Sequence, residues 1–190
     1  LAARLAKLAT APAIQAELAK ALADVSQVKA ARLTALAVMA SAPVNPAPDA
    51  WLDAIDSTAA PLRPAAVRSL VSLRLAKVQQ ERVAGMLRRF GRSSTFPDRQ
   101  RTLAFSGIPT GLFAPDEAEF DYLLGQLGAG QPFAQRSNAA KALAGGKLAE
   151  AQLSRLANQL GSIGSAEATA LLPAFGRGRA ASLGQALFFT

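Results

Sequence analysis

Cysteine and histidine are both missing from the 190 residues, and tryptophan and tyrosine occur once each. Without cysteine there is no disulfide, thiol nucleophile or thioether-linked haem, and without histidine no imidazole general base. Without either there is no Cys/His metal site, and the segment reads as carrying no cofactor. The lack of cysteine leaves the compartment open, because it says only that no disulfide supports the fold. Long apolar runs are missing as well. The most apolar stretch, Leu33 to Val44, is broken by Ser41 and Pro43 and preceded by Arg32, short of the ~20 apolar residues a bilayer helix requires. No membrane span is expected. The start, Leu1 to Leu8, has no initiator Met and already repeats apolar residues at helical spacing, unlike a secretory leader. The chain reads as one array over 1–190, cut from something longer.

What is abundant is alanine and leucine, 44 and 27 residues, within a 51% hydrophobic composition. These are strong helix formers with no χ1 branching penalty, so an all-α fold is expected. Apolar stripes at helical spacing run through Ile14, Leu18 and Leu22, through Val83, Leu87 and Phe90, through Phe120, Leu123, Leu124 and Leu127, and through Leu153, Leu156 and Leu160. Pro12, Pro48, Pro97 and Pro115 stand at helix entries, with Asp116 and Glu117 in a first turn where they oppose the dipole. Gly145-Gly146 and Gly161 with Gly164 read as helix stops with left-handed caps. The pattern gives about twelve helices of eight to sixteen residues, most too short to be stable alone, so they must stack. Val67, Leu70, Val83, Leu87, Leu103, Phe120, Leu124, Leu127, Leu143 and Leu156 are the expected core. Both ends carry apolar helices, with Leu1, Leu5 and Leu8 at one and Leu183, Leu187, Phe188 and Phe189 at the other. Without a polar capping face this predicts self-association or marginal stability of the segment.

A period is present. A basic residue is followed four positions later by an apolar one at Lys29/Leu33, Arg63/Val67, Arg99/Leu103, Arg136/Ala140 and Arg179/Leu183, at intervals of 34 to 43 residues. Leu36, Leu70 and Leu143 repeat the same register seven residues after the base. A two-helix unit with an early base in its second helix resembles the HEAT family of α-solenoids, with stacked two-helix repeats over nearly the whole chain. The base would tie one unit to the next through a carboxylate or a helix-end carbonyl. Asp24 is the one acid placed as HEAT units often place it, and the other units lack it. The succession Leu123-Leu124-Gly125-Gln126-Leu127, Ala134 to Ala140, Lys147-Leu148 with Gln152-Leu153, and Leu171 to Phe175 is similar to the helical segment of bacterial, membrane-associated dehydrogenase-like proteins. Those proteins join a β-propeller, HEAT-type repeats and a c-type haem domain. That resemblance implies a periplasmic or extracytoplasmic location and a redox-type parent, of which this chain would be the helical spacer.

Net charge is +8, and all of it lies in residues 62–101, where ten bases face only Glu81 and Asp98. Arg82, Arg88, Arg89 and Arg92 surround a helix whose apolar face is already committed through Val83, Leu87 and Phe90. They are the candidate partner-binding residues, expected to meet an acidic protein surface or a neighbouring domain of the parent chain. A nucleic-acid-binding HEAT-like domain is the alternative, but Phe90, Phe96 and Phe105 are too few, and too suited to a core, to be a stacking platform. Asp49, Asp53 and Asp56, like Asp116, Glu117, Glu119 and Asp121, read as dipole complements on wet helix faces, with no metal and no acid/base role. Gly176 to Ala181 has the outline of a phosphate-binding turn without the preceding strand such a turn needs, and reads as an interhelical turn. No catalytic residue is assigned. The expectation is a non-catalytic scaffold or spacer making protein or interdomain contacts, while a longer parent could be an oxidoreductase.

Overall fold

The computed structural model describes residues 2–176. Among these it is all-α, with eleven helices and no strand. They are α1 (Ala2–Leu8), α2 (Pro12–Ala23), α3 (Lys29–Ser41), α4 (Asp49–Asp56), α5 (Arg63–Ser72), α6 (Lys77–Arg92), α7 (Asp98–Ser106), α8 (Glu117–Gly125), α9 (Phe133–Gly145), α10 (Glu150–Gln159) and α11 (Ser165–Gly176). Single 3₁₀ turns cover Ala60–Leu62 and Leu160–Ser162. Leu183, Leu187, Phe188, Phe189, Arg179 and the glycine-rich turn beyond Gly176 lie outside the described residues.

The prolines do what their fixed φ suits. Pro12 opens α2, while Pro48 and Pro97 are the N-caps of α4 and α7. Pro115 precedes a capping box, in which Asp116 Oδ1 accepts from the Glu119 amide (2.9 Å) and Glu119 Oε2 accepts from the Asp116 amide (3.0 Å). The left-handed caps expected at Gly145, Gly146, Gly161 and Gly164 do not form. The only positive φ among the described residues is at Gly111. Gly146 ends α9 in extended backbone, where an added Cβ would press on three carbonyl oxygens at 3.4 Å, so closeness rather than handedness explains it.

The chain divides into two compact units, one from Leu1 to Leu87 and one from Arg88 onward. In the first, α3 packs against α1, α2 and α5, and α2 packs against α4. Its core includes Leu22, Leu36, Met39, Leu52, Ile55, Val67, Leu70 and Trp51, and the fully buried Trp51 donates its indole N–H to the Gln15 carbonyl (3.0 Å). In the second unit α9 packs against α7, α8 and α11, and Phe105, Phe113, Phe120, Leu123, Leu127, Leu143 and Leu156 are buried. Nine of the ten expected core residues are buried. Leu103 is not: Thr102, Ala104, Phe105 and Ser106 fill the inward face of α7 and leave it half-exposed.

Two glycines of α6 differ in what surrounds them. A Cβ at Gly91 would lie 2.7 Å from the Phe105 ring, whereas a Cβ at Gly85 would meet nothing within 4 Å. Gly91→Ala should therefore cost about 1–3 kcal/mol through overpacking, and Phe105→Leu in the same chain should recover part of it. Gly85→Ala should gain about 0.5–1 kcal/mol from helix propensity. Chemical unfolding followed by circular dichroism checks both signs.

Candidate functional site

The four arginines selected from sequence lie on α6, and its acidic counterparts come from two other helices. In the first unit Arg82 Nη2 donates to Asp53 Oδ1 of α4 (2.5 Å). In the second, Arg88 grips Glu119 of α8 with both arms of its guanidinium, Nε to Oε1 (2.7 Å) and Nη2 to Oε2 (2.6 Å), and Nη2 also reaches the Ala114 carbonyl (3.1 Å). Arg92 donates from Nε to Glu119 Oε1 (2.7 Å) and from Nη2 to Asp116 Oδ2 (2.5 Å). Arg89 is exposed and is also engaged in an interaction.

Glu119 is 4% exposed, so it does not belong to a wet helix face as its neighbours in sequence suggested. Burial alone would push its carboxyl up. The hydrogen bonds from Arg88 and Arg92, that from the Asp116 amide and the charge of Arg88 outweigh this and hold it below the ordinary carboxylate range. Arg88 and Arg82 are correspondingly raised, chiefly by their hydrogen bonds to Glu119 and Asp53. The Glu119 carboxylate accepts four hydrogen bonds, which is what a buried charge requires to be tolerated. Above α7 the Arg101 guanidinium lies 3.8 Å from the centroid of the Tyr122 ring, and the Tyr122 hydroxyl donates to Asp98 Oδ1 (3.0 Å). Burial, first, and the Asp98 carboxylate hold that phenol well above its ordinary range, against the pull of Arg101. Phe90, Phe96 and Phe105 are buried, so they present no stacking platform.

A second device was not read from the sequence. Near the start of α6, Gln79 accepts from the Ala76 amide (3.0 Å) and donates to the Ala47 carbonyl (2.9 Å) and to Asp49 Oδ1 (2.7 Å) of α4. Near the start of α10, Gln152 accepts from the Ala149 amide (3.0 Å) and donates to the Pro115 carbonyl (3.2 Å) and to Glu117 Oε1 (3.0 Å) of α8. One turn further on in each case an arginine joins the same acidic helix: Arg82 with Asp53, and Arg155 with Glu117 (3.1 Å) and Asp121 (2.5 Å). The signal is present in the sequence as Leu75-Ala76-x-x-Gln79-x-x-Arg82 and, 73 residues later, Leu148-Ala149-x-x-Gln152-x-x-Arg155. A search keyed on bases and apolar residues passes over it because its central member is an amide. Gln79 and Gln152 are both buried. Replacing either by Ala removes a partner from a buried carbonyl and should cost about 1–3 kcal/mol, and the two losses should agree within about 0.5 kcal/mol if the clasps are equivalent and independent.

Two of the three bases that tie a helix start are displaced from their expected positions. Arg32, Arg101 and Arg136 donate to carbonyls of Leu22 (2.8 Å), Gly91 (2.9 Å) and Gln131 (2.7 Å), and Arg136 also pairs with buried Glu167 (3.1 Å). Each stands four residues after its helix's N-cap, Val28, Pro97 or Pro132. Of the bases chosen from the sequence, only Arg136 makes this tie among the described residues. The side chains of Lys29, Arg63 and Arg99 form no hydrogen bond or ion pair among the described residues. The acidic residues hold no metal-type cluster among the described residues; Asp49 and Asp53 are spent on Gln79 and Arg82. No described helix is long and apolar enough to cross a membrane. Comparison with protein-family models, with curated proteins and with solved structures finds no match to this chain.

Proposed function

We propose that this chain is a non-catalytic helical-repeat scaffold, an α-solenoid of HEAT-like hairpins that makes protein or interdomain contacts within a larger protein. The observation that carries this reading is the repetition of the clasp. The same amide-plus-guanidinium device joins α6 to α4 and α10 to α8, as expected where each unit buries its face only by docking on the one before it. The second-neighbour packing of α3 on α1 and α5, and of α9 on α7 and α11, supports it within each unit. A spacer in a redox-type parent chain agrees with this reading, and the flanking sequence tests it: a β-propeller before the segment and a CxxCH motif after it would support that parent.

The rival reading makes the basic stretch a nucleic-acid surface. Fluorescence anisotropy with duplex and single-stranded oligonucleotides over a range of salt separates the two. The scaffold reading expects only weak association that Arg88→Ala and Arg89→Ala leave almost unchanged. Tight binding whose logarithm falls steeply with the logarithm of salt, and which those substitutions abolish, would overturn it.

A further inference from the structure

The clasps and ion pairs consume much of the positive charge of α6, whereas elsewhere in the chain charge is left unbalanced. The two helices α3 and α5 carry Lys29, Arg32, Arg63 and Arg68 and no acidic residue at all. Arg32 is buried on the Leu22 carbonyl. The side chains of Lys29, Arg63 and Arg68 form no hydrogen bond or ion pair among the described residues, and that of Arg68 is exposed. The opposite situation holds in α4 and α8, whose carboxylates are met by Arg82, Arg88, Arg92 and Arg155.

Between α3 and α5 runs an open groove of about 440 Å³, within the roughly 300–1,000 Å³ range of ligand-binding clefts. Leu33, Ala37 and Ala40 contribute an apolar floor, Ser69 and Ser72 bring hydroxyls, and Arg68 stands on its wall. The Ser69 hydroxyl is committed to the Leu36 carbonyl (2.8 Å) and that of Ser72 to the Arg68 carbonyl (3.0 Å), so the walls ask for few further hydrogen bonds. What they lack is apolar contact along the floor and a negative charge at the rim. Aromatic side chains are absent from both helices, so the groove has nothing on which a base could stack.

We infer that the groove between α3 and α5 docks an acidic peptide segment of a partner protein, its aliphatic side chains on Leu33, Ala37 and Ala40 and a carboxylate on Arg68. This rests on the scaffold reading and gives it a partner chemistry and a place. Charge complementarity names the occupant: Arg68 lines the groove, and the two helices that form it carry Lys29 and Arg63 besides and no acid, so the groove steers and retains an anionic segment, while the apolar floor selects one with aliphatic residues among its acids.

Selection of a random dodecapeptide display library against the immobilised full chain tests it. Enriched peptides should combine Asp or Glu with Leu, Ile or Val, and their affinity should fall at least tenfold on Arg68→Glu. It should fall similarly on Ala37→Leu, which fills the groove from its exposed side without touching the core. Lysine-substituted versions of the same peptides should prefer the Arg68→Glu protein. Enriched peptides that are neutral or basic, or that ignore both substitutions, would overturn the groove while leaving a docking module in place. A selection that enriches nothing would overturn the docking module as well. Oligonucleotide binding that both substitutions abolish would assign the groove to nucleic acid instead.

Discussion

Arg88→Ala combined with Arg92→Ala should lower the unfolding free energy by about 3–5 kcal/mol, the cost of leaving a buried carboxylate without its counter-charges. Glu119 is the reason the effect is large. It is 4% exposed, and three of its four hydrogen bonds come from these two side chains. Arg92 alone, half exposed, should contribute the smaller share. The loss should also depend on pH in a defined direction. In the unaltered protein the Glu119 carboxyl titrates below its ordinary value of 4.5. Its contribution is therefore fully present above that value and disappears as pH falls through the depressed one. In the double variant burial acts unopposed by the guanidiniums, the carboxyl takes up its proton earlier, and the deficit against the unaltered protein should narrow between pH 7 and pH 4. Urea unfolding at several pH values measures both the size and the trend.

Trp51→Ala should cost about 3–5 kcal/mol, the range for truncating a fully buried large aromatic. The ring has no exposed surface. Trp51 belongs to α4 and its N–H crosses to the carbonyl of Gln15 in α2. The substitution thus opens a cavity and removes a tie between these helices at once, in a part of the chain with no other tryptophan to fill the space. Trp51→Phe, which keeps most of the volume, should lose far less. Thermal unfolding followed in the far ultraviolet gives the order of the three proteins, and equal stability of the Ala and Phe variants would argue against tight packing at this site.

The helices were legible because their signals are local. Proline at Pro12, Pro48 and Pro97 marks an entry whatever the rest of the chain does, and stripes such as Phe120, Leu123, Leu124 and Leu127 identify an inward face by period alone. The charge map reads as a surplus in residues 62–101, but a window cannot show which of its arginines meet acids elsewhere in the same chain. Its counter-charges lie 29 to 31 residues away, Asp53 for Arg82 and Glu119 for Arg88, a separation at which composition of a window says nothing. Glu119 was hidden among three solvated acids because only the capping box and the arrival of two guanidiniums turn it inward. Two of the three tying bases, Arg32 and Arg101, were missed by three and two residues for a different reason. Arg32, Arg101 and Arg136 are counted from an N-cap, and without the caps a nearby Lys29 or Arg99 fits an apolar register equally well. The amide clasp could have been found, since Gln79 and Gln152 occupy the same place in two copies of one octapeptide pattern.

The arginines of α6 tie this helix to other helices of the same chain. A double-mutant cycle on unfolding free energy, with Arg88→Ala, Glu119→Gln and the pair, measures it most directly. The paired geometry of 2.6 and 2.7 Å predicts a coupling energy above about 1 kcal/mol. Additive losses, with coupling within about 0.3 kcal/mol of zero, would contradict it.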